Sequence, residues 1–492
     1  MKLDSRRIMT YTAEKKSELG QFMTPLGIAD FMASMFSSTA GRDVSLLDAG
    51  AGTGSLTSAF AMKSIQDGAA SIRATAWEID AGMLQSLAER LGDIAALSRY
   101  HGVQFDHRIE HGDFIDAASR FVLSGKVSGF THAILNPPYK KIHSASAHRQ
   151  FLRMVGIETG NLYSAFVALS LLLLENGGEM LAITPRSFCN GPYFRHFRQL
   201  LLKHAALCRV HVFDTRDQAF RGDDVLQETV IFHIIKGAIQ SSVMISTSID
   251  ASFSDVRKWA TDFSEVVMPG DAESIFHLVT DGSSEDMRPQ MAAFTNTLAD
   301  LGVGVATGPI VDFRLKSHLR RFVGMGCVPL VYPLHFSRGF VEHPKVGSKK
   351  ANAIEDNAET AKWLLPAGHY VVTRRLSSKE EKRRIVPALF DPNRVACPGG
   401  KVGFENHLNV LHEGKRGLRP EVAQGLAVYL GSTLADKWLR RFNGHTQVNA
   451  GDLRVLRYPD RDILVKWGKR VGMVFPSQEE IDYMVEETVR AK

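Results

Sequence analysis

Long apolar runs are scarce in this chain. The longest, Ala165 to Leu174, is about half the length needed to cross a bilayer. Residues Met1 to Thr10 carry Lys2, Arg6 and Arg7 but no apolar core of a signal peptide. A cytoplasmic location is the expectation. Cysteine is equally sparse. Cys189, Cys208, Cys327 and Cys397 lie far apart and form no Cys-x-x-Cys pair. Neither a zinc site nor a disulfide framework is expected, and no metal is assigned. Internal repeats and low-complexity tracts are missing, as is the acidic metal-binding cluster of a fused nuclease. What remains is a chain of 492 residues, 44% hydrophobic and 23% charged, which are globular proportions. That length exceeds one ordinary core, so two domains are expected. The net charge of +6 permits a polyanionic partner without requiring one.

The first half alternates β-type runs with helical stretches. The runs are Val44–Leu47, Ile72–Trp77, Val103–Ile109, Thr131–Leu135, Met180–Thr184, Val210–Phe213 and Thr229–Ile235. Helical patterns such as Leu56–Ile65, Ala81–Leu91, Leu162–Leu174 and Tyr193–His204 lie between most of them. Seven strands with interleaved helices predict an α/β fold with a mostly parallel sheet. Ligands of such sheets bind at the carboxyl ends of the strands. The pattern changes after about Lys236, where a Ser-, Asp- and Thr-rich stretch leads into short β-like runs and basic clusters. A boundary is set there, giving domains 1–238 and 239–492.

Asp48-Ala49-Gly50-Ala51-Gly52-Thr53-Gly54 follows the first strand and opens a helix. Glycines at such a turn let a ligand approach the backbone. The order is Asp-x-Gly-x-Gly-x-Gly, not Gly-x-Gly-x-x-Gly, and a nicotinamide cofactor stays open on this loop alone. Glu78 ends the second strand, where a carboxylate can accept from both hydroxyls of a ribose. Asp113 ends the third, followed by Phe114. That pair can bind an exocyclic amine and cover the flat face of an adenine. Three acids at successive strand ends look like the cofactor site of class I methyltransferases, which implies S-adenosyl-L-methionine.

The fourth strand runs into Asn136-Pro137-Pro138-Tyr139. Two prolines stop the strand and stiffen its exit. The Asn136 amide and the Pro137 carbonyl then become two fixed acceptors facing one point. An exocyclic amine on a base is a poor nucleophile because its lone pair is delocalised into the ring. Two acceptors on its N–H groups favour a tetrahedral, more nucleophilic nitrogen, so positioning and electrostatics carry the chemistry. Tyr139 offers a flat ring for the base, and Phe220 is the candidate for its opposite face.

The order of these motifs resembles the gamma-class DNA adenine-N6 methyltransferases of restriction-modification systems. Asn161-Leu162-Tyr163-Ser164-Ala165-Phe166 and Gly178–Pro185 belong to the same match, which covers residues 15 to about 236. Gly20-Gln21-Phe22-Met23-Thr24-Pro25 resembles the N-terminal cofactor motif of that class, and the resemblance places Phe22, Thr24 and Pro25 against the cofactor. It implies a Rossmann-like seven-stranded sheet with one antiparallel strand, followed by a mixed α+β target recognition domain. The second half is similar to BsuBI/PstI-type and Eco57I-type adenine methylases over Thr307–Arg314, Arg374–Glu380, Glu405–Asn409 and Gly444–Leu453.

Basic clusters in that half can neutralise phosphates. Arg314, Arg374, Arg375, Asn406, His407, His445, Thr446 and Asn449 are the candidates for DNA contact. The expected activity is methylation of adenine N6 on a base flipped out of double-stranded DNA. The expected cofactor contacts are Phe22, Thr24, Pro25, Asp48, Gly50, Gly52, Gly54, Glu78, Asp113, Phe114 and Asn136. A monomer, with a separately encoded nuclease as a conceivable partner, completes the expectation. Cytosine N4, a non-catalytic DNA- and cofactor-binding subunit, and an RNA or protein substrate stay open as alternatives.

Overall fold

A computed structural model of the chain describes residues 23–126, 129–213, 228–278, 287–377, 381–443 and 447–491. It divides into two compact units, Met1–Ser283 and Ser284–Lys492.

The first unit is built on strands β1 (Asp43–Ala49), β2 (Ser71–Glu78), β3 (Gln104–His111), β4 (Phe130–Leu135), β5 (Leu174–Pro185), β6 (Ala205–Phe213), β7 (Thr229–Lys236), β8 (Val243–Ser248) and β9 (Arg257–Thr261). They form one sheet in the order β3-β2-β1-β4-β5-β7-β6-β8-β9. The first seven strands are those read from the sequence. β7 runs antiparallel to both of its neighbours, which is the single reversal expected. This is the class I S-adenosylmethionine-dependent methyltransferase fold. The sheet does not stop at seven strands. β8 pairs in parallel with β6 and β9 returns antiparallel to β8. The expected boundary at 238/239 therefore falls inside this sheet, between β7 and β8. The Ser- and Thr-rich composition of β8 hid it, because Ser246, Thr247 and Ser248 are buried without forming an apolar run.

The central strands read as unbroken apolar runs because both faces are covered. Side chains alternate between two cores. Ile134, Leu181, Ile183 and Ile231 face one of them, with residues of helices α1 (Leu26–Ser34) and α2 (Ser55–Asp67). Ala133, Leu135, Ala182, Val230 and Phe232 face the other. That second core includes residues of helices Phe114–Leu123, Ala147–Met154, Leu162–Leu173 and Arg195–His204. Helix Ala81–Tyr100 adds Leu87, Leu91 and Ile94 against Ala61 and Ala76.

Two buried polar devices stitch α1 to the sheet. Glu179 Oε2 accepts from the Ser37 amide just past α1 and meets His233 Nε2, both at 3.0 Å. Burial alone would raise this carboxyl, but the bonds from His233 and Ser37 hold it down to about 2. On the next strands, His211 bonds to the Ser246 and Ser248 hydroxyls of β8. Its ring lies against Phe31 of α1, itself stacked on Phe253.

In the second unit, one sheet has six strands and another five. The short helix Arg288–Ala292 precedes the strands and the longer helices follow from Pro420 onward, which makes this the expected mixed α+β unit. Among the described residues no helix is long and apolar enough to cross a membrane.

Burial pushes the His211 imidazole from 6.5 down to about 3. An unfolded chain takes up that proton near 6.5 and the folded chain resists it. Stability contributed by the buried neutral ring is thus complete above about pH 6.5 and is lost progressively toward pH 3. A melting-temperature series from pH 7 to 4 is expected to fall, and His211→Gln is expected to flatten part of that slope while lowering the plateau.

Candidate active site

The site sits where β1 and β4 lie side by side. They pair in parallel with Leu47 opposite Ala133. Three residues beyond each partner stand Gly50 and Asn136, so the glycine loop and the Asn-Pro-Pro-Tyr motif leave the sheet at one level. β1 is also paired to β2, with Ala49 opposite Trp77. Glu78 therefore emerges at the same height, and β3 brings Asp113 just beyond it, since Glu78 pairs with His111.

The loop owes its shape to glycine. Gly50, Gly52 and Gly54 all have φ between +56° and +82°, a region that side-chain-bearing residues rarely enter. A Cβ at Gly54 would also sit 2.8 Å from Leu87. At Gly50 a Cβ would point to Phe166 and Pro138 at 3.7 and 4.0 Å. The missing side chain therefore keeps open the space between the two motifs.

Each acid has a defined place. Asp48 is fully buried and accepts from the Thr57 hydroxyl of α2 at 2.6 Å. Burial pushes its carboxyl up to about 7. Its second oxygen, Oδ1, has no hydrogen-bond partner among the described residues. Glu78 braces the loop. Its Oε2 accepts from the Gly52 amide and its Oε1 from the Asp80 amide, each at 2.7 Å. Burial raises its carboxyl as well. Asp113 caps the helix Phe114–Leu123 by accepting from the Ile115 and Asp116 amides. Its other oxygen lies 2.5 Å from His148 Nε2. Burial would raise Asp113, yet the His148 bond and charge hold it below the usual carboxylate range. The same bond raises His148. His148 was not legible in the sequence, because 35 residues separate it from its partner. Phe114 is buried and packs between Trp77 and Phe166.

Asn136 is held from two sides. Its Nδ2 donates to the Thr24 hydroxyl at 2.9 Å. That bond turns Oδ1 the other way, where the Tyr139 hydroxyl lies 3.2 Å from it. The same hydroxyl is 3.2 Å from the Ile183 carbonyl. Burial holds it protonated well past its ordinary range. The Tyr139 ring meets Tyr163 edge to face at a centroid distance of 6.1 Å. Thr24 thus contacts the Asn-Pro-Pro-Tyr motif itself, a contact the sequence did not assign. Pro25 precedes the first turn of α1 as its N-cap. Phe22 and Phe220 lie outside the described residues.

In the second unit, four of the polar residues named from the sequence come together, joined by Gln447. Arg375 donates to the Asn406 carbonyl at 2.7 Å and to the Gln447 and Asn449 side chains at 3.0 and 3.3 Å. His407 bonds to buried Glu405 at 2.6 Å. The Arg375 guanidinium is thus engaged inward, holding two segments together. Arg374 pairs with Glu381. Arg314 is exposed, with its guanidinium 5.5 Å from the Phe313 ring. His445 and Thr446 lie outside the described residues. Among those residues, no group of His, Cys, Asp and Glu is disposed to hold a metal.

The fold is that of a class I methyltransferase, with the glycine loop, the strand-end acids and the Asn-Pro-Pro-Tyr motif gathered at one end of its sheet. Residues 69–220 match the family model described as Eco57I restriction-modification methylase. The type II methyltransferase M.BsuBI of Bacillus subtilis is 48% identical over 98% of this chain and 96% of its own. M.PstI of Providencia stuartii is 40% identical over 96% of this chain and 94% of its own. The type IIL restriction-modification enzyme MmeI, solved with DNA, shares the fold at a TM-score of 0.54 and 11% identity, over 97% of this chain and 72% of that one. The chain belongs to the type II DNA methyltransferases of restriction-modification systems.

Thr24→Val removes the acceptor that orients the Asn136 amide. Methyl-transfer assays are expected to show kcat down about tenfold, the value of one neutral hydrogen bond. KM for the methyl donor should change less, and Thr24→Ser should restore most of the rate.

Proposed function

We propose that the chain transfers a methyl group from S-adenosylmethionine to N6 of an adenine flipped out of duplex DNA. The single observation that carries this reading is the fixed orientation of Asn136, whose Oδ1 is turned away from Thr24. An amide held in this way presents an acceptor, and an acceptor is what an aromatic amine needs. With the Pro137 carbonyl as a second acceptor, both N–H groups of the amine are engaged. The nitrogen lone pair then leaves conjugation with the ring and becomes available for attack. The alkylated nitrogen is cationic and strongly acidic, so water suffices as the acceptor of the proton it loses.

The cleft suits the methyl donor. The space above Gly50 lets its backbone approach a ligand. The unpartnered oxygen of Asp48 and the carboxylates of Glu78 and Asp113 are an acceptor set for an ammonium, two ribose hydroxyls and an adenine amine. Bound there, the donor supplies an electrophilic methyl on a sulfonium. Thr24, Pro25 and Phe114 frame the same cleft. Phe22 is assigned to it by sequence alone.

Tyr139 is the stacking platform for the target base. One base–aromatic stack is worth about 1–3 kcal/mol, and extrusion from a duplex costs a few kcal/mol. A second surface is therefore needed, and Phe220 keeps that assignment. The second unit serves target recognition, with Arg314, Asn406, His407 and Asn449 as its candidate contacts. Arg375 enters as the residue that holds those segments in place, and Arg374 keeps its assignment as a candidate contact.

Asn136→Ala is expected to lower methyl transfer about a thousandfold while calorimetry shows S-adenosylmethionine binding largely kept. Turnover at the wild-type rate would defeat the mechanism. Mass spectrometry of nucleosides from DNA treated with the wild-type enzyme should return N6-methyladenine. N4-methylcytosine would replace adenine with cytosine in this reading.

A further inference from the structure

In the second unit, two surface loops are tied together by one buried side chain. Asn352 is 3% exposed. Its Nδ2 donates to the carbonyls of Arg321 and Lys345, at 3.2 and 3.3 Å. Its Oδ1 accepts from the Lys345 amide at 2.8 Å and meets His335 Nε2 at 3.0 Å. Its own amide donates to the Arg320 carbonyl. A buried amide with both ends satisfied fixes whatever it joins. Here it holds the loop following Leu319–Arg320 beside the loop following His343.

What those loops display is unusual for a soluble surface. Phe322 is 60% exposed, Val346 82%, and Met325 is as exposed as in an extended chain. Three large apolar side chains on two joined loops have no covering element of their own. They sit among positive charge. From Phe313 to Met325 there are four Lys and Arg residues and no acid, and from His343 to Lys350 three lysines and no acid. Among the described residues, Arg321, Lys345 and Lys349 pair with no carboxylate. Arg321 instead places its guanidinium 5.7 Å from the Phe322 ring. Most nearby acids are engaged: Glu355 with His318 and Arg320, Asp356 with Lys401, and Asp312 with Lys350, while exposed Glu342 precedes the second loop. A rigid apolar tip flanked by the unpaired cations Arg321, Lys345 and Lys349 complements a duplex groove, with bases at the centre and phosphates on the rims.

We propose that these paired loops are a DNA-contacting element of the recognition unit. Phe322, Met325 and Val346 enter a groove against the bases, while Arg321, Lys345 and Lys349 meet the flanking phosphates. The inference rests on the reading of the chain as a DNA methyltransferase whose second unit engages the duplex.

The test uses the full chain and sheared genomic DNA from a methylation-free host. Two triple variants separate the two contributions. In Arg321→Gln/Lys345→Gln/Lys349→Gln, the slope of log affinity against log salt should become shallower by about 2–3, since each phosphate left without its cation removes about 0.9 from it. In Phe322→Ser/Met325→Ser/Val346→Ser the slope should stay, and KM for DNA should rise at least tenfold. S-adenosylmethionine affinity and melting temperature should be unchanged in both. If the wild type methylates DNA and both variants keep its slope and KM, the loops do not touch the duplex and only this inference falls. If the apolar variant changes the sedimentation coefficient instead of KM for DNA, the patch joins protein chains and the inference falls likewise. If the wild type neither binds nor methylates duplex DNA, the proposed function falls with it.

Discussion

The parallel pairing of β1 with β4 governs the catalytic unit. Strand order runs outward in both directions from that pair, through β2 and β3 on one side and β5 on the other. Loops leaving two adjacent strands in opposite directions open a crevice between them, which is where ligands of doubly wound sheets bind. The register with Leu47 opposite Ala133 then sets the height of everything else. A slip of one residue would exchange the two cores on either face. It would also carry Asn136 out of level with Gly50. The apolar alternation of β4, with Ile134 in one core and its neighbours in the other, is therefore as much a determinant of the active site as the motif that follows it.

Above that frame, the polar groups restrain one another before any substrate arrives. Glu78 ties the glycine loop to the end of β2, Thr24 ties the segment before α1 to Asn136, and the Tyr139 hydroxyl rests between Asn136 and β5. Groups fixed in advance need little reorganisation when charge develops, which is where most electrostatic catalysis originates. His148 is of the same kind beside Asp113, setting one of its oxygens while the helix cap sets the other. The carboxylates of this site each hold a structural bond of their own.

The legible parts of this protein were those written locally. Seven strands showed as apolar runs because both faces of the central sheet are covered. The glycine loop and Asn-Pro-Pro-Tyr showed because turn chemistry resides in consecutive residues. The illegible parts join distant segments. Thr24 reaches Asn136 across 112 positions and His148 reaches Asp113 across 35, and no periodicity records either. β8 escaped because its buried half is Ser-Thr-Ser, and β9 because an edge strand carries exposed polar side chains. Basic residues in the second half were visible as charge, but charge alone did not separate Arg375, which is engaged inward, from Arg321, which is not.

The two strands that lengthen the sheet also decide what its margins look like. One margin is β3, where Gln104, Asp106, His107 and Arg108 stand outward, and the other is β9, which leads with Arg257 and Lys258. Unpaired strand margins invite pairing with a second chain, and charged side chains along them oppose it. Without β8 and β9 the sheet would end on β6, a nearly wholly buried strand rich in Leu and Val. Such a margin would be an adhesive one. The added hairpin replaces that margin with one led by Arg257 and Lys258.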